Sequence, residues 1–389
     1  MNNSLPERPR ILFLFSDTGG GHRSAAEAII EALGIEFGDR ISTQMVDIFK
    51  DYAPRPLNVV PDLYPKMVRL PQAWGLGYKL SNGHYRSRLI TASAWPYVRR
   101  AFRNLIAQHP SDLIVSVHPL ANAPVLRALG HVHPPFMTVV TDLVTTHALW
   151  YHRLVDLCIV PTQAARQRAL MFGLQEAQVQ VVGLPVADRF CQAPGDQSGL
   201  RDRFHWPADH LMVLLVGGGE GMGPLVETAH AITRSGLPIV LAIIAGRNRK
   251  LQARLRAEQW PVPTFIYGFV NEMPAFMRAA DVLVTKAGPG TISEALNAGL
   301  PMILYSRLPG QEDGNISYVV SKGAGVWAPH PDQIISALSR WVKDPDKRLR
   351  AVQACLRLAR PQAAREIAHI LAGRVGIAQS IHEEFHHRN

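Results

Sequence analysis

Cysteine is almost absent. The 389 residues hold three, Cys158, Cys191 and Cys355, far apart and never in a CxxC pair. That spacing excludes a disulfide framework and a zinc site of recognisable pattern, leaving buried free thiols as the expectation. Long apolar runs are missing too, since none approaches the ~18–20 residues that a membrane-spanning helix requires. The first, Ile11 to Phe15, is too short for the core of a signal peptide and leads straight into glycines. The expectation is a protein made and kept in the cytosol. Negative charge is missing from one long stretch, with no carboxylate between Asp62 and Asp112. Lys66, Arg69, Lys79, Arg86, Arg88, Arg99, Arg100 and Arg103 lie there, interleaved with Tyr64, Trp74, Tyr78, Tyr85, Trp95, Tyr97 and Phe102. Cationic and aromatic side chains together suit the interface of an anionic membrane. A solvated basic face over core aromatics is the plainer alternative. A nucleic-acid patch has no RRM, KH or helix-turn-helix pattern to accompany it.

What is present is a globular composition, 47% hydrophobic and 19% charged, with a net charge of +10. The length suits two domains of roughly 150–200 residues each. Short apolar runs alternate with longer amphipathic ones, the pattern of parallel α/β structure. Ile11–Ser16, Leu113–Val117, Phe136–Thr141, Leu157–Val160 and Val179–Val182 read as strands buried on both faces. Ser24–Leu33, Tyr97–His109 and Gln163–Phe172 read as helices between them. A polar stretch bearing Pro and Gly, 191–210, reads as a linker. The series then restarts with strands at Leu211–Val216, Ile239–Ala245, Thr264–Tyr267, Val282–Thr285 and Met302–Tyr305. Two doubly wound, Rossmann-like halves place a ligand in the cleft between them.

Four strands run into glycine-rich loops followed by helices: Ser16–Ser24, Gly217–Gly223, Ala245–Asn248 and Lys286–Glu294. Such loops turn backbone N–H groups and a helix N-terminus toward an anion. Any one alone is equally well a structural turn. Neither of two familiar phosphate motifs fits. No Gly-Lys-Ser/Thr triplet occurs in these turns, and Gly288-Pro289-Gly290 lacks both the third glycine and a later acid. His22 sits where the first loop becomes a helix, whose N-terminus disfavours the protonated ring. A neutral imidazole facing a cleft accepts a proton from an alcohol, although a histidine there is also a simple helix cap. Asp142, ending the strand Thr138–Thr141, is a second candidate base or acceptor-orienting group, with helix capping as its structural alternative.

Taken together, these residues resemble the monogalactosyldiacylglycerol synthase family and its relatives, the processive diacylglycerol glycosyltransferases of glycosyltransferase family 28. The similarity runs through SDTGGGHRSAA at 16–26, Val140 to Leu143, His147 to Trp150 and Gly183-Leu184-Pro185. It is denser at GGGEGMG (217–223), AGRNRKL (245–251), YGFVNEMPAFM (267–277), 281–304 and PGQEDGN (309–315). The resemblance implies a two-domain α/β GT-B fold and an inverting transfer needing no metal or other cofactor. It implies a UDP-sugar donor, diacylglycerol as acceptor, anionic membrane lipids as partners and no nucleic acid. The domains it implies are an acceptor- and membrane-binding half at 1–190 and a UDP-sugar-binding half at 211–355. A terminal helix and tail, 356–389, would pack back on the first half.

His22 and Asp142 then become the catalytic candidates. The donor-binding candidates include Gly21, Gly218 and Gly219, with the helix start at Gly288, Pro289, Gly290 and Thr291 for the diphosphate and Arg247 and Lys286 to neutralise it. Glu294 would hold the ribose, the loop at Phe269 and Val270 the uracil, and Gln311 and Glu312 the sugar hydroxyls. Trp74, Tyr78, Arg86, Arg88, Trp95, Arg99, Arg100 and Trp150 would meet the acceptor or the membrane, as a peripheral or monotopic protein. The lone Asp-x-Asp, Asp344-Pro345-Asp346, falls in a late surface turn and offers no metal cage. Galactose is favoured over glucose as the transferred sugar, with a diacylglycerol glucosyltransferase as the alternative and a UDP-GlcNAc lipid-intermediate transferase more remote. A UDP-sugar 2-epimerase shares the architecture but has no use for a carboxylate-free basic stretch. A catalytically dead sensor has no use for His22, Glu294, Gln311 and Glu312.

Overall fold

The computed structural model describes residues 8–18, 20–68, 70–192, 195–219, 221 and 223–377. Gly19, Arg69, Glu220, Met222 and the tail from residue 378, all singled out above, lie outside the described residues. The first half runs β1 (Arg10–Phe15), α1 (Gly21–Phe37), β2 (Ser42–Asp47), α2 (Val60–Met67), α3 (Pro71–Ser81), α4 (His84–Gln108), β3 (Leu113–Ser116) and α5 (Pro119–Leu129). It continues with β4 (Phe136–Val139), β5 (Leu157–Val160), α6 (Gln163–Met171) and β6 (Val179–Val181). After α7 (Gln197–Phe204) the second half begins with β7 (Leu211–Val216), α8 (Leu225–Thr233), β8 (Ile239–Ile244), α9 (Arg249–Ala257) and β9 (Thr264–Tyr267). Then come α10 (Met273–Ala279), β10 (Val282–Lys286), α11 (Pro289–Asn297), β11 (Met302–Ser306), α12 (Asp313–Ser321) and β12 (Gly325–Trp327). Three helices close the described chain: α13 (Pro331–Lys343), α14 (Pro345–Leu358) and α15 (Ala363–Arg374).

Two six-stranded parallel sheets result, in the orders β2-β1-β3-β4-β5-β6 and β12-β11-β10-β7-β8-β9. Strand residues alternate between two apolar layers. Ile11, Phe13 and Phe15 pack on one face of β1, and Leu12 and Leu14 on the other. The second sheet divides likewise, with Met212, Leu214 and Val216 on one side and Val213 and Leu215 on the other. Burial on both faces is why these strands read as unbroken apolar runs. The edge strands β2 and β12 escape the sequence reading, because STQMVD is polar and partly exposed and GVW is only three residues long. Helix α4 begins at His84, well before the expected Tyr97, and passes through Pro96 without ending.

The stretch expected to be a linker is folded against the second domain. Within it α7 carries Arg201, whose guanidinium donates to the Ala279 carbonyl and to Asp281 Oδ2 at 2.7 Å. Trp206 is buried and donates its indole N–H to Tyr267. The chain then returns: Ala363, Ala364, Ile367, Ala368 and Leu371 of α15 join the layer formed by Ala26, Ile29 and Leu33 of α1. Where the return crosses, Gly183 has φ +142°, and a Cβ there would lie 2.8 Å from Cβ of Arg360. Only glycine permits both that conformation and that approach.

Asp281 bridges Arg201 at 2.7 Å and Arg348 at 2.9 Å, with its side chain 12% exposed. Removing it strands two guanidiniums. Asp281→Ala should therefore lower unfolding free energy by about 3 kcal/mol, measurable by urea titration. A loss within error of zero would show that the pair carries no net stability.

Candidate active site

In both sheets the strand order reverses once, between β1 and β3 and between β7 and β10, and an open crevice forms outside the carboxyl ends of strands at such a point. The first-domain wall is built from loops leaving β1, β3 and β4. His22 stands on the first turn of α1, with Nδ1 2.7 Å from the hydroxyl of Thr141, two residues past β4. His118, at the start of α5, meets its ring edge-on with centroids 4.6 Å apart, and the Trp150 ring lies at 5.9 Å. His118 Nδ1 accepts the Leu120 N–H, so in the neutral ring Nε2 carries the hydrogen and donates to the Thr18 hydroxyl at 3.2 Å. Burial pushes His22 down to about 4, opposed by the Val117 carbonyl. Burial and neighbouring His22 push His118 well below the usual range as well. His22 is thus neutral at pH 7 because of desolvation, where the sequence suggests the helix end as the cause.

Asp142 caps no helix. Its Oδ2 accepts the Trp150 indole N–H at 2.7 Å, and its Oδ1 accepts the Gln311 amide at 3.0 Å from across the cleft. Burial raises its pKa while those two donors oppose the rise. A second bridge links Gly314 N–H to the Thr145 hydroxyl at 2.8 Å.

The second-domain wall gathers most of the residues expected to bind the donor. Gly288 ends the β10 loop, and Pro289, Gly290 and Thr291 form the first turn of α11, where Gly290 and Thr291 carry N–H groups that a helix leaves without intrahelical partners. Lys286 Nζ lies 2.7 Å from Glu312 Oε1 and within 2.8 Å of where a Cβ on Gly288 would stand. Gly218 faces the Lys286 stem and Gly219 the Arg247 guanidinium. The Gly246 backbone presses against the Gly219 carbonyl, where a Cβ would sit at 2.3 Å, and Arg247 N–H donates to that same carbonyl. Arg247 also covers the exposed Phe269 ring at 4.6 Å. Glu294, on α11, is pushed up to about 7 by burial, with Arg189 opposing.

The structure gives several of the expected residues surroundings within the protein. The carboxylate of Glu312 is held inside the protein, by Lys286 and by the Leu308 N–H, and Gln311 is held by Asp142. Val270 packs on the second-domain core, leaving Phe269 as the open side chain of that loop. Gly21 is exposed, and a Cβ there would meet no atom within 4 Å. Four aromatic residues assigned to the membrane point inward. Trp150 is fully buried, and Trp95 packs in the first-domain core beneath Arg127. Trp74 meets Tyr64 edge-on, and Tyr78 donates to the Thr145 carbonyl and lies against Gly310. The outward positions on α3 and α4 belong to Tyr85 and Tyr97 and to aliphatic residues that the sequence reading passes over. Leu76 is 60% exposed, Leu80 59% and Leu89 71%, beside exposed Arg86, Arg88, Arg99 and Arg100. Thr141 and His118 also escape it, since no spacing rule joins them to His22.

Burial also pushes the thiols up, Cys191 to about 11 and Cys355 to about 12, which makes them poor nucleophiles. Asp344 of the Asp-x-Asp caps α14 by accepting the Lys347 N–H. Among the described residues no group of three His, Cys, Asp or Glu side chains is placed to share a metal ion.

Comparison with known proteins gives this arrangement its class. The family model "Glycosyltransferase family 28 C-terminal domain" matches residues 212–365. A solved structure of MnaA with UDP from S. aureus superposes with a TM-score of 0.64 at 17% identity, covering 95% of this chain and 98% of that one. With two facing doubly wound domains, this chain is a glycosyltransferase of the GT-B fold. The family model "Monogalactosyldiacylglycerol (MGDG) synthase" matches residues 22–186. A probable monogalactosyldiacylglycerol synthase 2 of Oryza sativa subsp. japonica is 40% identical over 370 residues, covering 92% of this chain and 79% of the relative. Monogalactosyldiacylglycerol synthase 1 of Arabidopsis thaliana is 38% identical over 382 residues, covering 95% and 72%. The chain belongs to the monogalactosyldiacylglycerol synthase family.

The buried histidines set a pH limit. His22 and His147 are both lowered to about 4 from an unfolded value near 6.5. The unfolded chain therefore takes up protons first as pH falls, and stability complete above pH 6.5 is lost toward pH 4. Melting temperature should already decline between pH 6.5 and 5, above the carboxylate range. A flat profile there would contradict the burial of neutral imidazoles.

Proposed function

We propose that the protein transfers galactose from UDP-galactose to the free hydroxyl of 1,2-diacylglycerol, forming β-monogalactosyldiacylglycerol and UDP. The identity to named monogalactosyldiacylglycerol synthases across both domains supports the substrates. The observation that carries the chemistry is a neutral imidazole opposite an anion-binding helix end. His22 reaches Thr141, the neighbouring Asp142 spans the cleft to Gln311, and the adjacent Glu312 holds Lys286 beside the N-terminus of α11.

In this reading the α11 amides, Lys286 and Arg247 meet the charge of the diphosphate, a task that suits fixed donors in a site poor in water. No metal ion takes part, so the rate should survive EDTA. Glu294 receives the ribose hydroxyls, and Phe269 lies against the uracil. The acceptor oxygen attacks the anomeric carbon from the face opposite UDP, and His22 takes its proton. The bond from that carbon to the diphosphate oxygen breaks, its electron pair leaves with UDP, and the α-linked donor gives a β-linked product.

A lipid acceptor has to be met at its bilayer. Among the described residues no helix is long and apolar enough to cross a membrane. The aliphatic face of α3 and α4, flanked by arginines, suits an interfacial contact with anionic lipid.

His22→Ala should lower turnover by about two to four orders of magnitude; near-normal turnover would remove His22 as the base. With diacylglycerol in anionic vesicles, UDP-galactose should give the β-galactolipid and UDP-glucose should not. A glucolipid would move the enzyme to glucosyl transfer. Leu76→Asp with Leu80→Asp should weaken vesicle sedimentation while leaving the melting temperature unchanged. Undiminished sedimentation would place the membrane contact elsewhere.

A further inference from the structure

We propose that Tyr78 is a positioning residue for the transfer reaction, holding the segment 310–314 in the arrangement that presents Gln311 to the donor sugar. The inference rests on the proposed transfer and on Gln311 as a group that meets a sugar hydroxyl. One amide N–H of Gln311 goes to Asp142, and among the described residues its carbonyl oxygen and second N–H have no partner. An amide fixed at one point, with a donor and an acceptor to spare, suits a hydroxyl, which both gives and receives a hydrogen bond.

The segment ends the β11–α12 connection and begins α12, and the first domain holds it at both ends. Gly310 lies against the Tyr78 ring, where a Cβ would stand 2.8 Å from Cδ1. Gly314 N–H donates to the Thr145 hydroxyl at 2.8 Å, and the Tyr78 hydroxyl donates to the Thr145 carbonyl at 2.8 Å. One side chain thus serves both anchors, the first with its ring and the second through Thr145. Between them Gln311 reaches Asp142 and Glu312 reaches Lys286. Burial raises the Tyr78 pKa, with Asp142 adding to the rise, so the phenol stays protonated and remains a donor.

Helix α3 is shaped for this contact. Gly75 and Tyr78, three residues apart, share the helix face turned to the second domain. Glycine weakens a helix, yet a Cβ at Gly75 would lie 2.8 Å from Cβ of Pro309, so the missing side chain is what lets the loop rest on α3. The end of α3 is fastened to the first-domain segment that carries Asp142 and Thr145. Ala148 N–H donates to Asn82 Oδ1 at 3.0 Å, and His147 Nε2 lies 3.1 Å from Ser81 Oγ. Leu76 and Leu80 stay exposed on the other side of the helix, so α3 stands between the outer surface and the loop bearing Gln311.

The test is kinetics on the full chain with diacylglycerol in vesicles, comparing Tyr78→Phe, Gly75→Ala and Gln311→Ala, together with calorimetric titration of UDP. Phenylalanine keeps the ring against Gly310 and loses only the bond to Thr145. In Tyr78→Phe, KM for UDP-galactose should rise about three- to tenfold, the range of one net hydrogen bond, with kcat nearly kept and UDP affinity changed less than about twofold. UDP lacks the sugar and is met by the α11 amides and Arg247, which Tyr78 does not touch. Gly75→Ala favours the isolated helix but should raise the same KM by displacing Pro309. An unchanged KM in Tyr78→Phe or in Gly75→Ala, with KM raised in Gln311→Ala, would overturn the role of Tyr78 and leave the sugar at Gln311. Equal weakening of UDP and UDP-galactose would mark Tyr78 as merely structural. An unchanged KM in Gln311→Ala would take the sugar away from this segment, and the inference would fall with it. No galactolipid from the wild type would remove the proposed transfer itself.

Discussion

Parallel strands must be connected by right-handed crossovers, and a sheet covered on both faces therefore has to reverse its order somewhere. That reversal is the constraint from which the site follows. At β1/β3 in one sheet and β7/β10 in the other, the outgoing loops diverge to opposite faces and leave a gap over the strand ends. His22 and His118 come from loops on either side of the first gap. The Gly217–Gly219 loop and the start of α11 flank the second. The return of α15 onto α1 ties the two domains together, so the gaps face one another across a single cleft.

The two walls deal with charge in opposite ways. The first-domain wall is desolvated, and burial strips its histidines of their protons. The second-domain wall gathers backbone N–H groups and cations, with Lys286 held in place by the buried carboxylate of Glu312. In the proposed reaction, a neutral proton acceptor facing a cationic cradle suits displacement of an anionic leaving group. Asp142 and Gln311 join the walls, so loops distant in sequence answer to one another.

On the basic surface, composition and placement part ways. Trp74, Tyr78 and Trp95 lie near many positive charges in sequence, which makes them resemble interfacial anchors. In the fold their size makes them wedges, filling the space between α3, the Ala148–Trp150 turn and the Pro309–Gln311 loop or the first core. The leucines of α3 and α4 remain outside because, among the described residues, nothing covers their side of the helices.

Buried strands in both halves, the glycine loops at their ends, the family and the nomination of His22 are all readable from the chain, because apolar runs, glycine turns and motif wording are local properties. The edge strands β2 and β12 are not, since STQMVD carries no strand pattern without its neighbour β1 to pair with. Nor is the folding of 191–210 onto the second domain, where Arg201 becomes intelligible only beside Asp281, eighty residues away. The order of residues alone was enough to specify a two-domain parallel α/β enzyme with glycine loops at its strand ends. Packing in three dimensions was needed to bring Thr141 to His22 and Glu312 to Lys286, and to choose which side of α3 and α4 faces out. Each of those depends on how distant segments meet, and hydrogen bonding and burial act through distance in space, whatever the separation along the chain.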